Sequence, residues 1–429
     1  MEEDKGPAVG RRRQGRQMGD FDLVAALRQP GFPSLYAAGF LFNTARWSLS
    51  FLAAFVANDL TSSPRAVQLT GAAMWAPMLA AGVVAGGLAD RLDRRRILVT
   101  VVALLVPVVL IFATLDLTEA LAAWMLYPLM VWVGLSWVAD MTSRRTLVLD
   151  IVGVDLIDNA MALESLSTAV GLSIGVVAGG AVVDALGVGQ AFIVVAAILA
   201  VAGLLIAWSG RWMAPAESKK AGPDPVVYTE AREGLGAAVG DGLRLVRTNR
   251  RLGAGLGVTV VANTFYFSHT PLVPVFAEDL GAGPFGAGLL ASAGGLGMMA
   301  AALIVVRWEP PRGITYVVGA IVALAALTGL GVFTSYGPVF VSLVIAAIGF
   351  GLFAATQSAV ILTSVDEEHR GKAMGLLSMA IGALPFGMYS LGEVAEVTSP
   401  RSGVIAFAII GLVVMVAWVG RRREVLAAR

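Results

Sequence analysis

Apolar runs of about twenty residues recur along almost the whole chain, and this recurrence constrains the fold more than any other feature. A transmembrane α-helix needs about 20 mostly apolar residues to cross the bilayer core. Windows of that length give apolar runs at 34–57, 66–89, 97–115, 120–141, 160–184, 189–209, 252–274, 285–306, 314–334, 338–362, 373–392 and 403–420. The chain is 57% hydrophobic and 14% charged, whereas soluble domains have about 45–50% apolar and 25% charged residues. The sequence therefore predicts an all-α membrane protein with twelve transmembrane helices.

The basic residues predict how these helices are oriented. Of the 31 Lys and Arg residues, all except Arg46, Arg65 and Arg401 lie in the tails or in loops on one side of the predicted membrane. Because cytoplasmic loops carry an excess of Lys and Arg, we expect both termini in the cytoplasm and the protein in the cell membrane. The basic N-terminal stretch reaches the first apolar run without a cleavage signal, which favours a retained tail over a signal peptide.

The longest connection divides the predicted helices into two groups of six. We expect a basic tail at 1–33, a six-helix half at 34–209, a linker at 210–251, a second half at 252–420 and a basic tail at 421–429. The stretches "VDLIDNAMALESLS" and "VDEEHRGKAMGLLSMA", which begin spans 5 and 11, share Val-Asp and then Ala-Met-x-Leu-x-Ser. This similarity favours duplicated halves, which in transporters place a site between the repeats. Within the linker, "TEAREGLGAAVGDGLRLV" fits a surface helix and a mobile polar connection equally well.

Two motifs carry a resemblance to a known family. The connection "GGLADRLDRRRILV" at 86–99 resembles the G-x-L-a-D-r-x-G-r-k loop of major facilitator superfamily transporters, with Asp93 in place of the motif's glycine. The matching residues are Gly86, Leu88, Asp90, Arg91, Arg94 and Arg95. "GLSIGVVAGG" in span 5 resembles the antiporter motif G-x-x-x-G-P-x-x-G-G through Gly171, Gly175, Gly179 and Gly180, with Val176 in place of proline. "NAMALESLS" and "RGKAMGLLSMAIG" are similar to the branch of macrolide-efflux and siderophore exporters.

The loop motif is expected to act as a gate. Gly86 removes a side chain where span 2 ends, so that another helix can approach closely. Asp90 would face the positive pole of span 11, an interaction worth about 0.3–1 kcal/mol when exposed. The resemblance implies that such pairing holds the outward-facing state. The alternative is that the arginines only set topology, and this is the preferred interpretation for Arg96.

Three ionisable residues within the predicted spans are candidates for proton coupling. Such residues are costly in a membrane unless they are paired or face water. Arg46 shares a helical stripe with Asn43 and lies far from either end of span 1, whereas Asp140 and Glu164 lie toward the cytoplasmic side. An ordinary ion pair with Arg144 or Arg145 is the alternative for both carboxylates.

The superfamily resemblance implies a central cavity lined by spans 1, 4, 7 and 10. The candidate substrate contacts there are Asn43, Trp132, Asn263, Tyr266 and Gln357. Aromatic walls with few polar groups suit a bulky amphiphilic ligand. Helix packing is an equally good explanation for each of these residues.

The sequence gives no support for nucleotide hydrolysis, a cofactor, a metal site or nucleic-acid binding. The chain contains no cysteine and no G-x-x-x-x-G-K-[ST] motif, so neither a nucleotide nor a cofactor is expected, and the proton gradient is the expected energy source. No residue spacing suggests a metal site, and topology explains the basic loops without nucleic acid. We therefore expect a monomeric, lipid-embedded secondary transporter, not an enzyme, that exports hydrophobic or amphiphilic compounds. The alternatives are transport of one metabolite or siderophore, lipid translocation, and a non-transporting sensor.

Overall fold

The computed structural model describes residues 24–88, 93–153, 155–209, 242 and 244–427, and within these ranges it contains helices and no β-strand. The first half comprises six helices, which are α1 (Phe32–Thr61), α2 (Pro64–Leu88), α3 (Arg94–Leu117), α4 (Leu126–Val152), α5 (Ile157–Leu186) and α6 (Val188–Ser209). The predicted all-α class is confirmed.

The second half contains two interrupted helices among its six predicted spans. Its helices are α7 (Arg250–Val261), α8 (Val273–Asp279), α9 (Pro284–Trp308), α10 (Arg312–Val332), α11 (Tyr336–Leu362), α12 (Arg370–Ile381), α13 (Leu384–Val397) and α14 (Pro400–Arg421). Within the described ranges, nine helices are long and apolar enough to cross a membrane, when the segment Glu367–Val397 that contains α12 and α13 is counted as one. The count of twelve crossings stays a prediction.

The fourth helix lies further along the chain than its apolar run predicted. α4 begins at Leu126, after a short 3₁₀ turn at Ala123–Met125, and it continues to Val152. The hydropathy window ended at 141 because charges follow it. Asp140 and Arg144, however, pair one turn apart inside the helix, with 2.5 Å between Oδ1 and Nη2. Because each charge neutralises the other, the helix continues.

The predicted spans at 252–274 and 373–392 are not continuous α-helices. α7 passes into a π-turn at 262–266 and a 3₁₀ segment at 267–272 before α8 begins. Pro271 and Pro274 lack the N–H groups that a continuous helix needs, which explains the break. The second interruption lies between Ile381 and Leu384, directly before Pro385.

Two helix pairs make the most extensive contacts between the described parts of the two halves. Within the first half α1 packs against α5 and α6, and within the second half α10 packs against α11 and α14. Across the divide, α5 packs along α9 and α2 packs along α13. Among the nine candidate spans, α1 has the largest buried share, with 78% of its apolar window buried. The space between the halves is therefore bordered by α1 and by these four crossing helices.

Candidate functional site

A cavity lies between the two halves of the molecule. From the first half, α1 and α5 line it with Trp47, Ser50, Phe51, Leu172 and Val176. From the second half, the interrupted segment after α7, together with α9 and α11, lines it with Tyr266, Phe267, His269, Thr270, Leu290 and Phe350. The break between α7 and α8 therefore brings several polar and aromatic side chains to the cavity. We call this space the central cavity.

A continuous row of aromatic rings crosses from one half to the other. Trp137 of α4 meets Trp75 of α2 edge-on, with ring centroids 4.8 Å apart. Trp75 meets Phe267 edge-on at 5.4 Å, and Phe267 lies 5.4 Å from Phe350. Phe350 in turn stacks on Tyr266 at 4.7 Å. These five rings form the aromatic wall, which offers apolar faces and few fixed polar groups.

Arg46 lies at the first-half end of the aromatic wall. Its guanidinium carbon is 4.4 Å from the ring centroid of Trp47 and 4.7 Å from that of Trp137. Nη2 donates to Asn43 Oδ1 at 3.3 Å. Arg46 is 2% exposed, as its position within span 1 predicted, and cation–π contacts of this kind are strongest when desolvated.

Asp140 and Arg144 form a buried ion pair. Arg144 Nε donates to both carboxylate oxygens, at 3.1 and 3.0 Å, and Nη1 donates to the Leu35 carbonyl at 2.9 Å. Gly39 of α1 faces this guanidinium, and a methyl group there would lie 2.9 Å from Nη1. The pairing considered from the sequence is therefore present, and it ties α4 to α1.

Glu164 differs from Asp140 in that it has a free oxygen. Its Oε1 atom is buried and accepts no hydrogen bond from any residue in the described ranges. Its charge acts on Arg144 and on Tyr36 of α1. A carboxylate without fixed donors can change its protonation at a lower cost than one held by two strong bonds.

The predicted substrate contacts are only partly brought together. Tyr266 lines the central cavity. Asn43 contacts Arg46, and Trp132 lies on α4 with a buried Nε1 that has no acceptor in the described ranges. Asn263 donates to the Thr259 carbonyl at 2.9 Å, and Gln357 donates to Thr259 Oγ1 at 3.3 Å.

The span 5 glycines face two different helices. Gly171 and Gly175 face α1, where Ser48 Oγ donates to the Gly175 carbonyl at 2.6 Å. Gly179 lies against Phe51, also on α1. Gly180 instead faces Pro284 and Gly288 of α9 in the opposite half. The four glycines therefore allow α5 to pack closely on both halves. Val176, in the motif's proline position, lines the central cavity.

The described part of the loop motif joins helices within the first half. Gly86 and Leu88 lie in the last turns of α2, whereas Asp90 and Arg91 lie outside the described residues. Arg94 pairs with Asp150 of α4 at 3.0 Å. Arg95 donates to the Ile206 carbonyl at 3.4 Å and to the Ala207 carbonyl at the end of α6. We call this end of the bundle, where α2 connects to α3, the motif end.

Asp93 caps the helix that follows the loop. Its Oδ1 accepts from the backbone N–H groups of Arg95 at 2.9 Å and Arg96 at 3.4 Å. An Asp at this position satisfies donors that the first turn of a helix leaves free. The departure from the motif's glycine therefore has a structural role. Arg96 interacts with the same carboxylate, with 3.7 Å between Nε and Oδ2.

At the opposite end of the bundle, where α1 connects to α2, polar contacts join the two halves. We call this the distal end. Arg65 Nη2 pairs with Glu393 Oε2 at 2.9 Å, and its backbone N–H donates to Glu396 at 3.1 Å. Ser63 Oγ also donates to Glu396, at 2.7 Å. Asn58 donates to Glu278. The distal end of the bundle is thus closed.

Deeper in the distal end, α2 reaches the interrupted segment of the second half. Gln68 is fully buried, and its Nε2 donates to the Ser268 carbonyl at 2.8 Å. Gly71 contacts Pro271 and Met388. These contacts separate the central cavity from the distal surface.

Sequence reasoning missed part of this site. Trp75, Trp137 and Phe350 come from two helices of one half and one of the other, so no local pattern groups them. The small residues of α9 did carry a signal, because Gly288, Ser292 and Gly295 recur at helical spacing. Gly295 lies against Ser173 of α5, and Ser173 Oγ donates to the Ser292 carbonyl at 3.4 Å.

Comparisons with known proteins agree with this architecture. The family described as "Transmembrane secretion effector" matches residues 22–425. No curated protein sequence matches significantly. A POT family transporter crystallised with 5-aminolevulinic acid is similar in structure, with a TM-score of 0.72 at 13% identity, over 92% of this chain and 97% of that chain.

Two further crystal structures are similar over nearly the whole chain. A bacterial homolog to the human lysosomal transporter Spinster, in an inward-facing and unoccupied conformation, gives a TM-score of 0.70 at 16% identity, over 96% of this chain and 99% of that chain. The nucleoside transporter NupG gives a TM-score of 0.67 at 13% identity, over 91% of this chain and 98% of that chain.

The fold and the family match agree with the predicted function class. The described residues form a helical membrane bundle with a cavity between its halves, and the solved structures reported above as similar to it are of transporters, not enzymes. The family match covers almost the whole chain. The chain therefore belongs to the transmembrane secretion effector family, and it is a multi-pass membrane transporter of the major facilitator superfamily.

Proposed function

We propose that this protein is a proton-coupled exporter of hydrophobic or amphiphilic small molecules, working as a monomer in the cell membrane. The observation that carries the proposal is the aromatic wall, which runs from Trp137 to Tyr266 across both halves. Apolar rings with few fixed polar groups bind amphiphiles by area and shape, which suits ligands of varied structure.

The two six-helix halves are proposed to rock about the central cavity. The distribution of basic residues predicts that the motif end is cytoplasmic, so the closed distal end would face outward. The contacts at the distal end would then separate the central cavity from the outside, so that substrate would enter from the cytoplasm. Opening the distal end requires breaking the pair between Arg65 and Glu393 and the contacts of Glu396.

Glu164 is the carboxylate proposed to carry the transported proton. Its Oε1 accepts no hydrogen bond from the residues that the structure describes, and the side chain lies near the Asp140–Arg144 pair. Asp140 is held by Arg144 from two nitrogens, so its protonation would require breaking strong bonds. We assign Asp140 to the positioning of Arg144, and Arg46 to the substrate side of the cavity.

The test is transport into proteoliposomes under an imposed pH gradient. A panel of fluorescent amphiphiles with positive, zero and negative charge is added outside vesicles that are acidic inside. We expect at least one probe to enter faster than in protein-free vesicles, and a protonophore to abolish the difference. Glu164→Gln should remove the dependence on the gradient, whereas Glu367→Gln, at an exposed site, should not. If the gradient drives none of the probes into the vesicles, the proposal is wrong.

A further inference from the structure

Arg46 is a buried cation with unused hydrogen-bond donors. The side chain is 2% exposed, and Nη2 makes one long hydrogen bond, to Asn43. Nε and Nη1 have no acceptor among the residues that the structure describes. A buried charge is costly unless it is paired and hydrogen-bonded. These N–H groups therefore require an acceptor from outside the described residues.

The carboxylate that acts on Arg46 is already paired with another cation. Asp140 is the charged group whose field reaches Arg46. Both Asp140 oxygens accept from Arg144, at distances between 2.5 and 3.1 Å. Arg144 is thus the hydrogen-bonded partner of Asp140, and Arg46 has no carboxylate in hydrogen-bond contact among the described residues.

The surroundings of Arg46 restrict what can approach it. Trp47 and Trp137 lie against the guanidinium at 4.4 and 4.7 Å, so the N–H groups at its edge are the part of Arg46 left for a ligand. Trp47 also lines the central cavity, and its own Nε1 is buried without an acceptor in the described ranges. The unpaired groups at this position are all donors, which favours a ligand that accepts hydrogen bonds.

We propose that Arg46 binds the anionic group of an amphiphilic substrate whose apolar body lies on the aromatic wall. This proposal rests on the proposed transport function and narrows its substrate class to organic anions, such as carboxylates. A carboxylate would accept from the free N–H groups of Arg46 and from Trp47 Nε1, and charge-assisted bonds of this kind are stronger than neutral ones. A cationic substrate would instead be repelled.

The test is equilibrium binding to the purified full-length protein in detergent, without any gradient. The probes are 2-naphthoate, 2-naphthamide and 2-naphthylmethylammonium, which share one ring system and differ in charge. Quenching of the tryptophans beside Arg46 reports binding. We expect the carboxylate to bind about tenfold or more tightly than the amide, since hydrogen bonds to charged groups exceed neutral ones by roughly this factor. The ammonium should bind most weakly.

Variants identify the group responsible. Arg46→Gln should remove the preference for the carboxylate and change the affinity for the amide by less than about twofold. Arg46→Lys should keep part of the preference, because it retains a point charge without the planar fork. Arg307→Gln, which removes an exposed arginine at the end of α9, should match the wild type. If Arg46→Gln fails to fold, the wild-type series and Arg46→Lys still decide the outcome.

Two results would overturn this proposal. One is wild-type protein that binds the amide or the ammonium as tightly as the carboxylate, and the other is a carboxylate preference that survives in Arg46→Gln. The binding assay is independent of transport. If the carboxylate binds selectively but no amphiphile moves under a pH gradient, the anion site stands and the exporter proposal fails. If amphiphiles move under the gradient but binding shows no charge preference, the exporter proposal stands and the anion site at Arg46 fails.

Discussion

At the scale of single residues, the described charged side chains have different partners and therefore different roles. Asp140 and Arg144 form a pair that is almost fully enclosed, with 9% and 5% of their side chains exposed. Asp93 stabilises the first turn of α3, while Arg46 has no charged partner in hydrogen-bond contact among the described residues. These differences lead to different expectations for substitutions that all remove one charge.

Replacing Asp140 should destabilise the folded protein. Asp140→Asn leaves the Arg144 cation buried without its counter-charge, which costs about 3–5 kcal/mol in comparable buried pairs. We expect a large loss of thermal stability in detergent. The double variant Asp140→Asn with Arg144→Gln should be more stable than Asp140→Asn alone, because no buried charge remains. Equal stability of the single variant and the wild type would show that this pair does not hold α4.

Two replacements of Asp93 test its role as the cap of α3, and one of them introduces the glycine of the family motif. Asp93→Ala removes the acceptor for Arg95 and Arg96 and should cost about 0.5–2 kcal/mol, whereas a glycine at a cap costs only a few tenths relative to Asp. Asp93→Gly, which restores the family residue, should therefore unfold closer to the wild type than Asp93→Ala does. Thermal unfolding of the three proteins measures the order, and an Asp93→Gly protein less stable than Asp93→Ala would contradict the capping role.

At the scale of helices, the contact between α5 and α9 depends on glycine. A methyl group on Gly288 would overlap the Val176 carbonyl oxygen of α5, and the same holds for Gly180 against Pro284. These helices belong to opposite halves, so their close approach fixes how the halves pack.

The Gly288→Ala substitution tests this contact directly. We expect it to destabilise the protein by about 1–3 kcal/mol, the usual cost of forcing a group into a packed interface, or to reduce transport by holding the halves apart. Gly375→Ala is the matched control, because nothing lies within 4 Å of the added methyl group. That control should be neutral or stabilising by up to about 1 kcal/mol. If both substitutions have the same effect, the α5–α9 contact is not tightly packed.

The sequence predicted the helices well where the bilayer alone dictates them. Runs such as 97–115 and 189–209 became α3 and α6, because a lipid-facing segment must be apolar and helical. Prediction failed where neighbours decide the structure. α4 continues past Asp140 because Arg144 pairs with it, and Gly39 of α1 leaves room for that guanidinium.

The candidate site was predictable only residue by residue. Arg46 was identified because an arginine far from either end of a span must face the protein interior. Its contact with Trp137 could not be predicted, since it depends on how α1 and α4 align. The span at 252–274 was predicted to be continuous, so the break between α7 and α8 was missed although Pro271 and Pro274 lie there. The approach of this segment to Gln68 and Gly71 of α2 depends on the packing of the two halves.

At the scale of the whole molecule, polar contacts between the halves close the distal end of the bundle, and the central cavity lies between the halves. Arg65 and Glu393 join the halves at the distal end, whereas Asp279 and Arg401 form an ion pair within the second half at that same end. Alternating access requires the first pair to separate and the second to stay together. Because the chain contains no cysteine, cysteine pairs introduced at these positions can be cross-linked selectively.

The most direct measurement is probe flux through proteoliposomes after cross-linking Arg65→Cys to Glu393→Cys with a reducible linker. We predict that cross-linking stops gradient-driven transport and that reduction restores it, because the distal end must open in every cycle. The control pair, Asp279→Cys and Arg401→Cys, should transport equally well before and after cross-linking. Undiminished flux through protein whose Arg65→Cys and Glu393→Cys positions are fully cross-linked would contradict transport by alternate opening of the two ends.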